Sequence, residues 1–236
     1  MMRIDFNDAE AWYKCLKTRK SSRKRFRLPL TAEQCAQALA AAVRVIVEHR
    51  GGVLQPDEET CSHIRQAAAW LTDPQGRSGL LMSGMYGNGK STLMRAVTDL
   101  VAFHTEAERG YSDRKAFVCK TAKEVAMMCC GSDKDFAEYR KLIDEPLLAI
   151  DDLGEEPAEV LRFGQTFSPV TDLLLARYDK PWRVTLATTN LGHAEIESHY
   201  GGRILDRFRE MMTEIIFANT SYRGKNRPQA AMPTKP

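Results

Sequence analysis

Apolar and polar positions alternate along the chain with two different periods. Short apolar runs of strand character occur at residues 80–83, 116–120, 147–150, 184–188 and 214–217. Between these runs, the apolar residues follow the spacing of amphipathic helices. Strands that alternate with helices along a chain form a parallel sheet with helices on both faces. We therefore predict an α/β fold.

Two helices are predicted before the first strand. Thr31 and Gln34 fit a capping box, and helical spacing continues to Gly51-Gly52. A second helix is predicted from about residue 57 to residue 71. We divide the chain into a small helical, basic N-terminal region for partner binding (1–50), an α/β domain (51–225) and a tail (226–236). The tail is predicted to be disordered, since it has three prolines and no apolar periodicity.

The composition is that of a soluble globular protein. The chain has 236 residues, of which 43% are hydrophobic and 28% are charged. No run approaches the roughly 20 apolar residues that cross a bilayer, and the N-terminal residues lack the apolar core of a signal peptide. The six cysteines include no Cys-x-x-Cys pair and no zinc-type spacing, which favours reduced thiols. We expect a cytoplasmic protein without membrane contact.

A basic segment lies within the N-terminal region. Between residues 14 and 27 there are eight basic residues and no acidic one: Lys14, Lys17, Arg19, Lys20, Arg23, Lys24, Arg25 and Arg27. Such a segment attracts phosphate backbones or an acidic protein surface. A solvated arm without a specific partner explains the same pattern equally well.

The first predicted sheet strand is followed by a glycine-rich segment and then by a helix. Its sequence is Gly84-Met85-Tyr86-Gly87-Asn88-Gly89-Lys90-Ser91, with Thr92 next in the helix. The spacing is that of the phosphate-binding P-loop. Phosphate or nucleotide contacts are predicted for Gly84, Gly87, Asn88, Gly89, Lys90, Ser91 and Thr92. Lys90 would reach the β- and γ-phosphates of a nucleoside triphosphate, and the Ser91 hydroxyl would coordinate Mg²⁺.

The third strand ends in two carboxylates, Asp151 and Asp152. Beside a P-loop, the first such residue holds Mg²⁺ and the second can activate the attacking water. Helix capping is the alternative reading, and the P-loop makes it the weaker one. The interval between Gly84 and Asp151 has room for one further strand and its helix. We therefore expect another strand to lie between the Asp151 strand and the P-loop strand in the sheet.

Polar residues after the later strands complete the candidate site. Asn190 ends the fourth strand and could position the attacking water or touch the γ-phosphate. An asparagine there is also a common turn residue. Arg203 and Arg207 share one helical face, and Arg223 follows the last strand. An arginine supplied by a neighbouring subunit can stabilise transition-state charge on the γ-phosphate.

Taken in order, these motifs resemble those of the DnaC/IstB branch of the AAA+ ATPases, which contains replicative-helicase loaders and transposase helper ATPases. The resemblance covers residues 75–225, and implies an AAA+ P-loop NTPase with little or no lid domain. It implies Walker A at residues 84–91, Walker B at Asp151 and Asp152, and sensor 1 at Asn190. Arg207 would be the arginine finger, with Arg203 as the other candidate, and Arg223 would be sensor 2.

The resemblance implies a function as well as a fold. It implies an ATPase that uses ATP and Mg²⁺, self-associates through the arginine finger, binds single-stranded DNA and delivers a DnaB-type replicative helicase. Lys120 and Lys123, at the end of the second strand and just after it, are predicted to contact the DNA backbone. Many AAA+ proteins have glutamate at the position of Asp152. The shorter side chain predicts slow hydrolysis that depends on oligomerisation.

Two alternatives remain open. The first is a transposase helper ATPase, which binds duplex DNA and recruits a transposase. The second, from another class, is a small-molecule P-loop kinase. Such kinases usually carry a mobile lid with clustered arginines, and the sequence has no segment of that kind.

Overall fold

A computed structural model describes residues 8–20, 25–55, 57–110, 115–219 and 221–222. The helices of this part are α1 (Ala9–Lys20), α2 (Ala32–His49), α3 (Glu58–Thr72), α4 (Lys90–Arg109), α5 (Ala122–Cys130), α6 (Asp133–Leu142), α7 (Pro169–Tyr178), α8 (His193–Tyr200) and α9 (Gly202–Met211). Its strands are β1 (Gly79–Gly84), β2 (Val118–Thr121), β3 (Leu147–Leu153), β4 (Val160–Arg162), β5 (Gln165–Phe167), β6 (Val184–Thr189) and β7 (Met212–Phe217).

Five strands form one parallel sheet in the order β2-β3-β6-β1-β7. All five correspond to the predicted strands, although β2 begins at Val118 and β7 at Met212, two residues away from the predicted starts. The predicted intervening strand is β6, which lies between β3 and β1. Because the strands are parallel, their carboxyl ends meet at one edge of the sheet, which is where α/β proteins bind ligands.

Helices cover both faces of this sheet. Leu80 and Met82 of β1 pack in a core with α2, α3 and α4. Leu81, between them in sequence, packs on the opposite face with α5 to α9. Burial on both faces explains why the strands are nearly continuous apolar runs rather than alternating ones.

The second helix, α2, is part of the first core. The predicted capping box is present, with the Gln34 amide N–H donating to Thr31 Oγ1 at 3.1 Å and the Thr31 amide to Gln34 Oε1 at 3.0 Å. The buried positions Leu28, Leu39 and Val43 pack against residues of α3, α4 and the sheet. The packed core therefore begins before the predicted domain boundary at residue 50. The tail at 226–236 lies outside the described residues.

The end of the basic segment is anchored to the turn before β1. Arg25 and Arg27 both donate to the Asp73 carbonyl, at 3.2 and 2.5 Å. Arg27 also donates to the Arg77 carbonyl at 2.8 Å and lies 5.2 Å from the centre of the Trp70 ring. These two guanidinium groups hold the chain where it enters α2. A partner for segment 14–27 stays a prediction.

A hairpin that the sequence did not predict follows β3. Its strands β4 and β5 have three residues each and are antiparallel. At its tip, Phe163 (φ 50°) is 87% exposed and Gly164 has φ 78°. Arg162 beneath the tip is buried, and its guanidinium donates to the Gly131 carbonyl and to Asp133.

Two expectations from composition concern membranes and cysteines. Over the ranges described, none of the helices has the length and apolar character needed to cross a membrane. All six cysteines are free thiols, as expected.

Candidate functional site

The P-loop connects β1 to α4 at the carboxyl edge of the sheet. Gly84, Gly87 and Gly89 have φ values of 139°, 77° and 103°, a region that residues with a Cβ rarely adopt. A Cβ on Gly84 would also lie 2.3 Å from the Phe217 carbonyl oxygen. Glycine is therefore required at Gly84 by space as well as by φ. A loop curled in this way turns backbone N–H groups towards one point, where the α4 N-terminus adds positive potential.

Lys90 extends back along this loop and is only 5% exposed. Its ammonium donates to the carbonyls of Gly84 at 2.6 Å and Met85 at 2.7 Å. It also donates to the side-chain oxygen of Asn190 at 2.8 Å. The structure thus brings together the predicted phosphate-binding lysine and the predicted sensor residue, which are one hundred positions apart in the sequence.

Asn88 fixes the loop to the strand on the outer side of β1. Its side-chain Nδ2 donates to the Phe217 backbone carbonyl at 2.9 Å, and the side-chain Nδ2 of Asn219 donates to the Asn88 backbone carbonyl at 3.0 Å. Asn88 is 1% exposed. Its side chain therefore holds the loop in shape from behind, and its predicted contact with the nucleotide stays a prediction.

Ser91 and Asp151 form the predicted metal-binding pair. Ser91 Oγ donates to Asp151 Oδ1 at 2.9 Å, and Thr188 Oγ1 donates to the same oxygen at 2.5 Å. Hydroxyl and carboxylate oxygens are the ligands that Mg²⁺ prefers, with phosphate oxygens and water completing its shell. Within the described part of the chain, no cluster of three or more His, Cys, Asp or Glu could hold a metal by itself. The donor set therefore fits a Mg²⁺ ion that arrives with a nucleotide.

Asp152 has an unusual backbone for a non-glycine residue, with φ 59°. Its amide donates to Thr188 Oγ1 at 2.9 Å, which holds it in this conformation. Burial raises the pKa of the Asp152 carboxyl above its usual range, and the negative charges of Asp151 and Glu155 add to this effect. A carboxylate with a raised pKa in a cleft is typical of a general base.

Three side chains that sequence reasoning did not assign to the site close one side of it. Tyr86 of the P-loop donates from its hydroxyl to Glu155 Oε1 at 2.6 Å. Lys123 Nζ lies 3.8 Å from Glu155 Oε2. Lys123 was predicted to contact DNA, and in the structure it lines the cavity into which the P-loop opens. Lys120 lies half-buried on β2. The DNA contacts of both lysines stay predictions.

The P-loop opens into a cavity of about 790 Å³, which also contains Asp152 and Asn190. The part of the wall nearest α2 and α3 is mostly apolar and includes Val43, Val47, Leu54, Ile64 and Phe217. The other end is polar and contains Lys90, so the cavity suits a ligand with one apolar part and one anionic part.

Arg50 and Tyr222 connect the two ends of this cavity. Arg50 follows α2 and donates to Thr92 Oγ1 at 3.0 Å, which places a guanidinium beside the first turn of α4. Tyr222 follows β7, and its amide donates to the Gly87 carbonyl at 2.9 Å. The Tyr222 hydroxyl lies 2.8 Å from Asp57 Oδ2. Neither residue was predicted, and Arg223, the predicted sensor 2, lies outside the described residues.

The two predicted finger arginines lie on α9, and neither lines the cavity as far as the described residues define it. Arg203 is exposed. Arg207 donates to the Tyr178 hydroxyl at 3.1 Å, and its guanidinium lies 4.3 Å from the centre of the Tyr178 ring. A finger that acts on a neighbouring subunit is expected to lie away from its own site, so this placement is compatible with either arginine. The choice between them stays open.

Solved structures provide the comparison for this geometry. The chain is similar to the crystal structure of the DnaC helicase loader, with a TM-score of 0.52 and 20% identity, over 70% of this chain and 93% of that one. It is similar to the crystal structure of DnaI, with a TM-score of 0.51 and 21% identity, over 70% of this chain and 88% of that one. The chain has the AAA+ fold. No protein-family model and no curated protein matches it.

The AAA+ fold confirms the predicted fold class, including the parallel sheet and the position of the P-loop within it. At these identities the likeness concerns the fold. The roles of Asp152, Asn190, Arg203 and Arg207 stay predictions.

Proposed function

We propose that this protein is an ATP-dependent helicase loader of the DnaC type, which binds ATP with Mg²⁺ and single-stranded DNA and delivers a replicative helicase. The observation that supports it best is the meeting of Lys90, Ser91 and Asn190 in the wall of one cavity, with Asp151 bonded to Ser91. These residues come from the P-loop, α4, and the ends of β3 and β6. The similarity in fold to the DnaC helicase loader supports the choice of partner.

Each residue of the site has a role in this proposal. Lys90 would exchange its carbonyl contacts for the β- and γ-phosphates. Ser91 and Asp151 would hold Mg²⁺, which would supply charge neutralisation at the phosphates. Asp152 accepts a proton from the attacking water. Asn190, within hydrogen-bond reach of Lys90, orients that water or the γ-phosphate. The short Asp152 side chain keeps hydrolysis slow, so the bound ATP acts as a switch.

Assembly supplies a further positive charge to the site. Arg207 or Arg203 on α9 of one subunit enters the cavity of the next and stabilises the transition state, an effect of about 10³–10⁵ in rate where it has been measured in GTPases. ATP hydrolysis per subunit therefore rises with protein concentration or on DNA that promotes assembly.

ATP binding is tested with Lys90→Ala. Each lost charge-assisted hydrogen bond is worth about 1.5–3 kcal/mol, so the Kd for ATP should rise by about ten- to a hundredfold. Isothermal titration calorimetry measures it, and Lys141→Ala is the control because Lys141 is exposed on α6 and pairs with Glu138 on the same helix. Equal ATP affinity in Lys90→Ala and the unchanged protein would refute the site.

The partner is tested by capture. Full-length protein and a form without residues 1–24 are immobilised with ATP or ADP and exposed to a DnaB-type helicase and to a transposase. This deletion stops before Phe26 and Leu28, the first of the described residues that pack in the core around α2 and α3. The proposal expects the full-length ATP form to retain the helicase and the shortened form to lose it while still binding ATP. Capture of the transposase alone would replace the loader with the helper ATPase.

DNA binding is tested separately with a fluorescently labelled oligonucleotide. We expect single-stranded DNA to bind in the ATP form, with an affinity that falls as salt rises and with little sequence preference. Preference for duplex DNA of the same length would contradict the proposal.

A further inference from the structure

Glu156 is a buried carboxylate for which the proposed chemistry has no use. It is 4% exposed, in the turn after β3. Its two oxygens accept hydrogen bonds from the Gly154 amide at 2.9 Å and from the Tyr200 hydroxyl at 2.5 Å, and His199 Nε2 lies 3.7 Å away. A charge is costly to bury, so it is retained only where its partners fix its position.

Through Gly154, Glu156 is connected to the proposed nucleotide site. Gly154, which it holds, lies two residues after Asp152 and has φ 95°. A Cβ on Gly154 would lie 2.4 Å from a methyl carbon of Leu191, the residue after Asn190. The turn is therefore packed against the segment that carries Asn190, and its position is tied to that of both Asp152 and Asn190.

Through Tyr200, Glu156 is also connected to α9, the arginine helix, which carries Arg203 and Arg207. Tyr200 is the last residue of α8, and Gly201 alone separates it from α9. Tyr200 is 7% exposed, and burial raises the pKa of its hydroxyl, so this group stays protonated and donates to Glu156. Arg203 and Arg207 follow on the first two turns of α9, whose apolar face is buried.

We propose that Glu156 is a positioning residue that couples the ATP site of one subunit to the arginine helix which that subunit presents to its neighbour. A change at Asp152 or Asn190 moves the 152–156 turn, and the bond from Glu156 to Tyr200 carries this movement to the α8–α9 junction. The geometry of the arginine finger thus depends on the nucleotide state of its own subunit. This inference rests on the proposed role of the α9 arginines between subunits.

The test uses mixed assemblies in which each subunit has one task. A donor subunit carries Asp152→Asn, so it still binds ATP and presents its arginines but hydrolyses ATP poorly. An acceptor subunit carries Arg203→Ala and Arg207→Ala, so it binds ATP but presents no finger. The mixture hydrolyses ATP efficiently only where a donor arginine enters an acceptor site. If this mixture is inactive although the subunits co-assemble, the proposed role of the arginines is wrong, and the inference falls with it.

Tyr200→Phe is then placed in one partner at a time. It removes the bond to α8 but leaves Glu156 attached to Gly154 in the acceptor's own site. We expect Tyr200→Phe to lower the activity of the mixture by about tenfold or more when the donor carries it, since a misplacement of about 1 Å can cost up to about a hundredfold in rate. When the acceptor carries Tyr200→Phe, the activity should stay within about twofold of that of the unmodified mixture, a much smaller change than the loss caused by the same substitution in the donor. Equal losses in both arrangements, or no loss in either, overturn the inference.

Two Glu156 variants provide a second arm that does not depend on Tyr200→Phe folding. The oxygen of Glu156→Gln still accepts from Tyr200 or Gly154, so this variant should keep most of the donor activity. Glu156→Ala loses both contacts, and should be impaired as donor and as acceptor. ATP affinity of the Tyr200→Phe single variant, measured by calorimetry, should match that of the unchanged protein. A Glu156→Ala donor as active as the Glu156→Gln donor contradicts the coupling.

Discussion

Replacement of Arg177 by methionine should destabilise the fold without touching the nucleotide cavity. Arg177 lies on α7 and is 1% exposed. Its guanidinium bonds the loop before β3 to the start of β6 and donates to the Leu142 carbonyl (2.8 Å), the Glu145 carbonyl (2.9 Å), the Val184 carbonyl (2.7 Å) and Thr185 Oγ1 (2.9 Å). Methionine has similar length and no donor.

The size of the effect follows from the groups left behind. A buried acceptor that loses its donor costs about 1–3 kcal/mol, and four carbonyl groups are affected here, since the Ile143 carbonyl also accepts from Arg177 at 3.4 Å. The loss of a buried charge acts in the opposite direction, because burial lowers the pKa of Arg177 to about 10 and so opposes its charged form. We expect a net loss of about 3 kcal/mol in the free energy of unfolding. For a chain of this size, that lowers Tm by about 6–12 °C.

Urea unfolding followed by circular dichroism measures this difference. Arg140→Met on the exposed surface of α6 is the matched control and should change stability by less than about 0.5 kcal/mol. Arg177→Lys should fall between the two, since an ammonium reaches fewer of the carbonyl groups. A loss below about 1 kcal/mol in Arg177→Met would show that these carbonyl groups find other donors, and the reasoning would be refuted.

Three further outcomes are expected. Asp152→Asn should raise Tm at pH 7, because a carboxylate with a raised pKa destabilises the folded state once it is ionised. The gain in Tm should shrink as the pH falls towards 4, near the ordinary carboxyl pKa. Thermal unfolding at both pH values measures this gain, and an unchanged Tm at pH 7 contradicts the prediction. Gly84→Ala should abolish ATP binding in calorimetry and cost about 2 kcal/mol or more, since its Cβ meets the Phe217 carbonyl at 2.3 Å. Arg50→Gln should raise the Kd for ATP and the Kd for ADP by the same factor, about tenfold, because Arg50 lies beside Thr92 rather than where the γ-phosphate is expected. A loss of affinity for ATP alone would instead place Arg50 near the γ-phosphate.

The sheet and the centre of the site could be predicted because their signals are local. Each strand is a continuous apolar run, and parallel strands bring their carboxyl ends to one edge. Asp151 and Asn190 each follow such a run directly. Their meeting with Ser91 and Lys90 therefore needed only the strand assignment and the P-loop.

The residues that the sequence did not reveal act through contacts distant in the chain. Glu155 has the sequence character of a solvated acid, and only the fold brings it to Tyr86. Arg50 reads as a helix-terminal arginine, and its approach to Thr92 depends on the packing of α2 against α4. The β4–β5 hairpin could not be predicted because strands of three residues are too short to show the alternation of apolar and polar residues that marks a strand.

The order of the strands also bears on how the protein forms during synthesis. β1 lies between β6 and β7, and the register pairs Gly79 with Thr185 on one side and Gly84 with Phe217 on the other. A ribosome that adds about 5–20 residues per second completes β1 several seconds before either neighbour exists. During that interval an apolar strand has no sheet to join, and such segments are prone to misassociation and chaperone capture. The proposed ATP site has Phe217 in its wall, so it is complete only after the chain through Phe217 has emerged. Nucleotide retention on stalled nascent chains is therefore the expected readout of completed folding.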